Sequence, residues 1–223
     1  RYVLHDAEAA RECREENALL RRIAPQAIEP NGGLFVAVDD HDLSYRDAFL
    51  AGCVAAGIAV EEVPAAQARA VEPALTPEVR AAFLVPDGVV DAWRLGMHFF
   101  ATARAGGADI RRFTEVVAFV TAGRSITGVE AVDHRTNRKL AIAADLVVNA
   151  AGPWAGRVAA MAGVDIPLQP APGVMLSVRG RLTNRVVNRL QPAGEGDIVL
   201  PQRMLTILGA TAWLSDDPEP VSP

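Results

Sequence analysis

The stretch from Asp91 to Trp154 constrains the fold more than any other part of this 223-residue sequence. It reads as a helix, a short strand, a three-strand meander and a long apolar strand, and it ends in Asn149-Ala150-Ala151-Gly152-Pro153-Trp154. The strand expected over residues 144–149 carries Leu146, Val147 and Val148 in succession. Such a run suits a strand buried on both faces of a parallel sheet. It delivers the chain to a tight turn of two alanines and a glycine. Small residues let backbone N–H groups approach a ligand, and Pro153 is suited to open a helix through Met161. A turn of this kind at the carboxyl end of a parallel strand is where ligands bind in open α/β sheets. The plain alternative is a strand–helix connector that binds nothing.

The remaining pattern supplies two interleaved units. Residues 6–23 have helical spacing, with Asp6 as N-cap and Pro25 as stop. Residues 34–38 form an apolar run of strand type. Residues 42–57 read as a second helix capped by Gly57, residues 58–60 as a brief extended piece, and residues 64–71 as a third helix. Residues 81–90 alternate and carry the turn Pro86-Asp87-Gly88, so a hairpin or bent strand is expected. Asp91 caps a helix over 92–105. A strand starts at Asp109-Ile110-Arg111, and the meander strands are expected over 115–121, 128–134 and 139–148. Further strands are expected over 168–178, 186–190, 197–200 and 205–208. The fold class is α/β (α+β). Residues 1–31 and 91–163 read as part of a nucleotide-binding sheet with its meander. Residues 32–90 and 164–223 read as a mostly antiparallel domain.

Composition narrows the function. With 50% hydrophobic and 22% charged residues, the chain has the balance of a globular protein with a sizeable core. Lys and Arg form no stripe and the net charge is -5, which argues against a nucleic-acid partner. The two cysteines, Cys13 and Cys53, are far from CxxC spacing, and only 4 histidines occur, so no metal site is expected. Both thiols are expected buried and free, as in a cytosolic protein. No apolar run is long enough to span a membrane, and no signal peptide opens the chain. Both ends read as cut, which suggests a fragment: Arg1-Tyr2-Val3-Leu4 begins in mid-pattern, and residues 215–223 are acidic and rich in proline.

The unit from Asp91 to Trp154 resembles the FAD-binding oxidoreductases of the D-amino-acid oxidase superfamily. His5-Asp6-Ala7-Glu8-Ala9-Ala10-Arg11-Glu12-Cys13, Val186-Val187-Asn188-Arg189, Gly196-Asp197-Ile198-Val199-Leu200-Pro201 and Ile207-Leu208-Gly209 are similar to the large flavoprotein subunit of the anaerobic glycerol-3-phosphate dehydrogenases. The resemblance implies an FAD domain and a substrate domain. It implies oxidation of sn-glycerol 3-phosphate to dihydroxyacetone phosphate, with electrons passed to a quinone pool through electron-transfer and membrane-anchor subunits. It also implies a cytoplasmic protein, peripheral at the inner membrane. It places the adenine against the backbone of Val116, with Val117 the off-by-one alternative. It places the FAD diphosphate or ribityl region against Ala150, Ala151 and Gly152. Trp154 is a cofactor contact or a packed aromatic.

The sequence departs from that family in several places. It contains no GxGxxG turn and no Gly-Val-Arg-Pro motif, so no catalytic residue is carried over. Pro172 stands where the family has Lys before Gly173, and Gly209-Ala210-Thr211 replaces Gly-Thr-Thr. Arg189 and Arg203 are weaker candidates for the phosphate ester, since arginine suits bidentate phosphate binding but is more often a surface residue. Two rival readings stay open. One is an oxidoreductase of the same superfamily acting on an amine or a 2-hydroxy acid. The other is a non-catalytic fragment that holds no cofactor, because the missing Gly-rich turn supplies much of the FAD affinity.

Overall fold

A computed structural model describes residues 2–192 and 198–219. The chain divides into two compact units, residues 1–102 with 173–212, and residues 103–172 with 213–223.

The first unit opens on helix α1 (Ala7–Ile23), whose N-cap Asp6 accepts a bond from the Ala9 N–H at 2.9 Å. Pro25 follows the helix and ends it. Strand β1 (Ile28–Glu29) leads to β2 (Gly33–Ala37), which is buried at every position. The helix expected over 42–57 is two helices, α2 (Asp40–Ser44) and α3 (Arg46–Ala55). Asp39 caps the first by accepting from the Asp42 N–H at 2.8 Å, so the start moves ahead of Asp42. Strand β3 lies at Glu61–Val63, just after the expected 58–60, because the ladder with β4 begins only at Glu61, although Ile58 and Val60 still pack against the core. Helix α4 (Ala65–Val71), strands β4 (Ala81–Val85) and β5 (Val89–Val90) and helix α5 (Ala92–Ala105) follow.

The second unit contains the meander β6 (Thr114–Ala122), β7 (Ser125–Asp133) and β8 (Arg138–Ala143), paired antiparallel in that order. Helix α6 (Ala155–Ala160) follows the small-residue turn. Two expected strands are not formed. Residues 109–111 and 144–149 belong to no ladder among the described residues, and only the Ala144 N–H continues the β7 pairing, donating to the Thr127 carbonyl at 3.0 Å. Leu146 and Val148 are 79% and 77% exposed, the reverse of the burial expected for them. Their composition is that of central strands, and a strand is buried only when neighbouring strands flank it.

The chain then returns to the first unit as β9 (Leu176–Arg179), β10 (Val186–Arg189), β11 (Ile198–Gln202) and β12 (Leu205–Gly209). The strand expected over 168–178 is only β9. Pro167, Pro170 and Pro172 lack the N–H a ladder needs, so the Pro170 and Pro172 carbonyls accept from Ser215 and Trp213 and nothing is returned from the prolines. Asp197 and Gly196 lie outside the described residues, as do residues 220–223. The seven-stranded sheet runs β3-β4-β2-β10-β11-β12-β9. Only β2 and β10 among these neighbours are parallel, with Val186 opposite Gly33 and Arg189 opposite Val36. The sheet is thus mixed and mostly antiparallel, as expected.

Alternation along the strands separates two faces. Leu34, Val36, Ala82 and Val187 pack with Ala68 of α4 on one face. Phe35, Phe83 and Leu190 pack with Phe49 and Cys53 of α3 on the other. On α1 only Ala10 is buried, which leaves Cys13 exposed, contrary to expectation. Cys53 is buried, and burial pushes its thiol pKa up.

Candidate functional site

Two places carry the expected site residues, one in each unit. In the second unit, Val116 sits opposite Ala131, but the next register pair is Ala118 with Glu130. Val117 is therefore the extra residue of a β-bulge, exposed and outside the ladder pairing. A bulge frees backbone groups that the ladder would otherwise use, so Val116 and Val117 together form the edge a planar ligand could meet.

The small-residue turn is held by its neighbour. The Asn149 side chain donates to the Ala155 carbonyl at 2.9 Å and accepts from the Ala151 N–H at 3.3 Å. Gly152 has φ +56, and a Cβ built there would meet nothing within 4 Å. The glycine is required by backbone conformation, and the space beside it is open for a ligand to approach. Ala150 is exposed and Ala151 half-buried. Trp154 is partly exposed, and its indole N–H donates to Glu219 at 3.3 Å. Arg157, one turn further on, donates to Glu219 at 2.7 Å and to Asp217 at 2.8 Å.

In the first unit, the face of the sheet bearing Val187 forms a broad groove of about 1040 Å³. Val36, Val187, Leu208 and Leu176 line it, with Arg189 and Thr211 as polar members. Three of these follow from register, because Val187 faces Val199, Val199 faces Leu208, and Leu208 faces Leu176. Gly173 lies at the rim, where a Cβ would collide with the Thr211 carbonyl oxygen. Only glycine lets the two backbones pass so closely.

Arg189 is brought into the groove, but its guanidinium is engaged. Nε donates to both oxygens of Asp42 at 3.0 and 2.9 Å, and Nη2 donates to Asp39 at 2.5 Å. Asp42 is fully buried and also accepts from the Val38 N–H at 2.9 Å. The Asp42 N–H bond, followed by the charge of Arg189, holds the Asp39 carboxyl below the usual carboxylate range. Arg189 therefore tethers α2 to the end of β10, and an anionic ligand would compete with two carboxylates for it. Arg203 is not among the groove residues. It occupies the β11–β12 turn, where Nε and Nη2 donate to Asp91 at 3.1 and 3.0 Å and its backbone N–H donates to Glu29 at 3.2 Å. The Arg94 N–H and then Arg203 lower the Asp91 pKa.

That shift has a sign that can be measured. A carboxylate stabilised in the folded state contributes stability above its unfolded pKa and loses it as pH falls below about 4. Wild-type chain is expected to lose more stability than Asp91→Asn between pH 7 and pH 3.5, read as the urea midpoint. An equal loss would remove Asp91 from the acid response.

Sequence reasoning missed Thr211 and Gln191, which also line the groove. Thr211 lay within view in the altered Gly209-Ala210-Thr211 motif. Gln191 carried no pattern that marked it. Among the described residues no group of His, Cys, Asp and Glu could hold a metal ion, and no helix is long and apolar enough to cross a membrane.

A mixed sheet with a separate meander and small-residue turn is the architecture of FAD-dependent oxidoreductases. The L-proline dehydrogenase of P. horikoshii has this fold, with a TM-score of 0.77 at 22% identity, covering 95% of this chain and 58% of that one. The FAD dependent oxidoreductase (DAO) family model matches residues 1–223, and the chain belongs to that family. It is 38% identical over 216 residues to a subunit of the anaerobic glycerol-3-phosphate dehydrogenase of Escherichia coli (strain K12), covering 97% of this chain and 40% of that protein. It is 40% identical over 229 residues to the corresponding protein of Haloferax volcanii, also named as an anaerobic glycerol-3-phosphate dehydrogenase, covering 98% of this chain and 39% of that protein. The chain thus spans about two-fifths of the length of these relatives.

Proposed function

We propose that this chain is part of an FAD-dependent dehydrogenase that oxidises sn-glycerol 3-phosphate to dihydroxyacetone phosphate. The identity to the E. coli protein, over nearly the whole chain, carries this reading. Residues 1–31 and 91–163 would belong to the cofactor domain, and residues 32–90 and 164–223 to the substrate domain. The exposed Leu146 and Val148, and the exposed Trp93, Met97 and Phe100 of α5, support a cofactor sheet completed by further polypeptide.

The residues present fit one side of an FAD. The Val116–Val117 bulge would meet the adenine edge. Ala150, Ala151 and the open backbone at Gly152 would lie along the diphosphate or ribityl chain, with Trp154 packing beside them. When bound, the flavin supplies the acceptor for the hydride that leaves the carbinol carbon. The groove beside Arg189 and Thr211 would seat the phosphate ester, and its apolar walls would limit water. Arg203 would act on substrate only through Asp91 and Glu29. Electrons would pass to a quinone through partner subunits at the cytoplasmic face of the membrane.

A second reading, oxidation of an amine or a 2-hydroxy acid, is supported by Pro172 and Ala210, which remove a Lys and a Thr usual in the family. A polypeptide of the relatives' length that contains this chain separates the two. It should reduce an artificial electron acceptor with sn-glycerol 3-phosphate and not with glycine, proline or lactate. Reduction with one of those three alone would replace the first reading by the second. The 223-residue chain itself, incubated with FAD and desalted, should emerge without a flavin band. A retained band would mean that the residues present hold FAD without a Gly-rich turn.

A further inference from the structure

We propose that a cavity beneath α1 binds a small amphipathic anion, an apolar chain or ring ending in a carboxylate or similar single negative charge. The cavity holds about 360 Å³, inside the roughly 300–1,000 Å³ range of small-molecule sites. It lies between α1, α3 and the sheet, on the face opposite the groove. Phe35 lines the cavity whereas its neighbour Val36 lines the groove, as alternation along a strand requires. The walls are mostly apolar, with Val3, Phe35, Phe49, Ile58 and Val85 among them.

One part of the lining carries Arg21, and its bonding is unusual for a half-buried guanidinium. Nε donates to the Asn17 amide oxygen at 2.5 Å, and Nη2 donates to the Asp87 backbone carbonyl at 2.8 Å. Both acceptors are neutral. The Asp87 carboxylate is turned to the Gly88 N–H at 2.7 Å, and Arg21 makes no ion pair among the described residues. Arg14, on the same helix, differs. It is paired with the Glu15 carboxylate at 3.1 Å and with the Gly57 carbonyl at 3.1 Å. A partly desolvated cation without a counter-charge is unfavourable, and an anionic head group would relieve it through a charge-assisted hydrogen bond. The apolar walls would then take the rest of the ligand. The plain alternative is that Arg21 only clamps the Pro86-Asp87-Gly88 turn to α1. The cavity's apolar lining is what that role leaves unused.

The test uses octanoate and its neutral counterpart octanol, titrated into the chain by calorimetry. Octanoate should saturate at one molecule per chain and bind about tenfold or more tightly than octanol, the scale of one charge-assisted hydrogen bond. Arg21→Gln should reduce octanoate to the affinity of octanol, while Arg21→Lys should retain part of the difference. Ala18→Phe, which fills the chamber from α1, should abolish binding of both. Cys53 lines the cavity and gives a second readout. In a Cys13→Ser background, octanoate should slow alkylation of Cys53 by N-ethylmaleimide. If Ala18→Phe fails to fold, Arg21→Gln and the Cys53 protection still decide. Equal affinity for octanoate and octanol, unchanged octanoate affinity in Arg21→Gln, or no saturable binding would each overturn the proposal.

Discussion

Glu72→Ala is expected to lower the unfolding free energy of the seven-stranded unit by about 3–5 kcal/mol. Glu72 ends α4, and its side chain is almost fully buried. Its carboxylate accepts from the Asn184 N–H at 3.1 and 2.9 Å and from the Arg185 N–H at 2.8 Å. The Arg185 guanidinium stands 3.8 Å away. One side chain thus holds the turn that delivers the chain to β10. Alanine would leave two part-buried backbone donors without their acceptor, each costing roughly 1–3 kcal/mol, and would also leave a small void where the Glu72 side chain is buried. Glu72→Gln keeps one acceptor oxygen and should cost about half as much. Urea unfolding monitored by circular dichroism gives both values. A loss below about 1 kcal/mol for alanine would mean that water or a shifted turn satisfies those donors.

Phe49→Ala should cost a similar amount, about 3–5 kcal/mol, for a different reason. Phe49 is fully buried between Phe35 and Phe83, with ring centroids 4.8 and 5.7 Å away. Its removal takes away the aromatic contact that joins α3 to β2 and β4. Phe49→Leu keeps most of the volume and should cost about 1.5 kcal/mol or less. Phe49 packs on one face of the sheet, whereas Glu72 bonds to the turn ahead of β10 from the end of α4 on the other. Their double mutant should therefore lose the sum of the two effects within about 0.5 kcal/mol. A large departure from additivity would show that the two faces are coupled through β2.

Much of the local structure was legible because its causes are local. Asp6 caps α1, Pro25 stops it, the meander alternates, and Gly152 takes a positive φ in the turn where small residues were expected. What was not legible depends on distant partners. Residues 144–149 have the composition of a central strand, but pairing needs neighbours, and beyond the Ala144 bond to Thr127 no strand among the described residues pairs with them. Cys13 was expected buried from helical spacing alone, yet what α1 buries is decided by what packs on it, and only Ala10 is fully buried. The candidate site divides in the same way. The turn at Ala150–Gly152 announced itself by residue size. The engagement of Arg189 did not, because Asp42 lies 147 positions away in sequence. Arg203 looked like a free sheet arginine for the same reason, its partner Asp91 being 112 positions distant.

The parallel pairing of β2 with β10 has a consequence for how the chain is made. Asn31, just before β2, bonds to Asn184, just before β10, across 153 positions. At about 5–20 residues per second, a ribosome would need roughly 8–30 s between the two. During that interval β2, β3 and β4 can form a hairpin sheet, but one edge of β2 stays unpaired between two apolar faces. An open edge of that kind invites pairing with another chain. Yield on expression should therefore respond to translation speed over residues 86–186 more than to the final stability of the sheet.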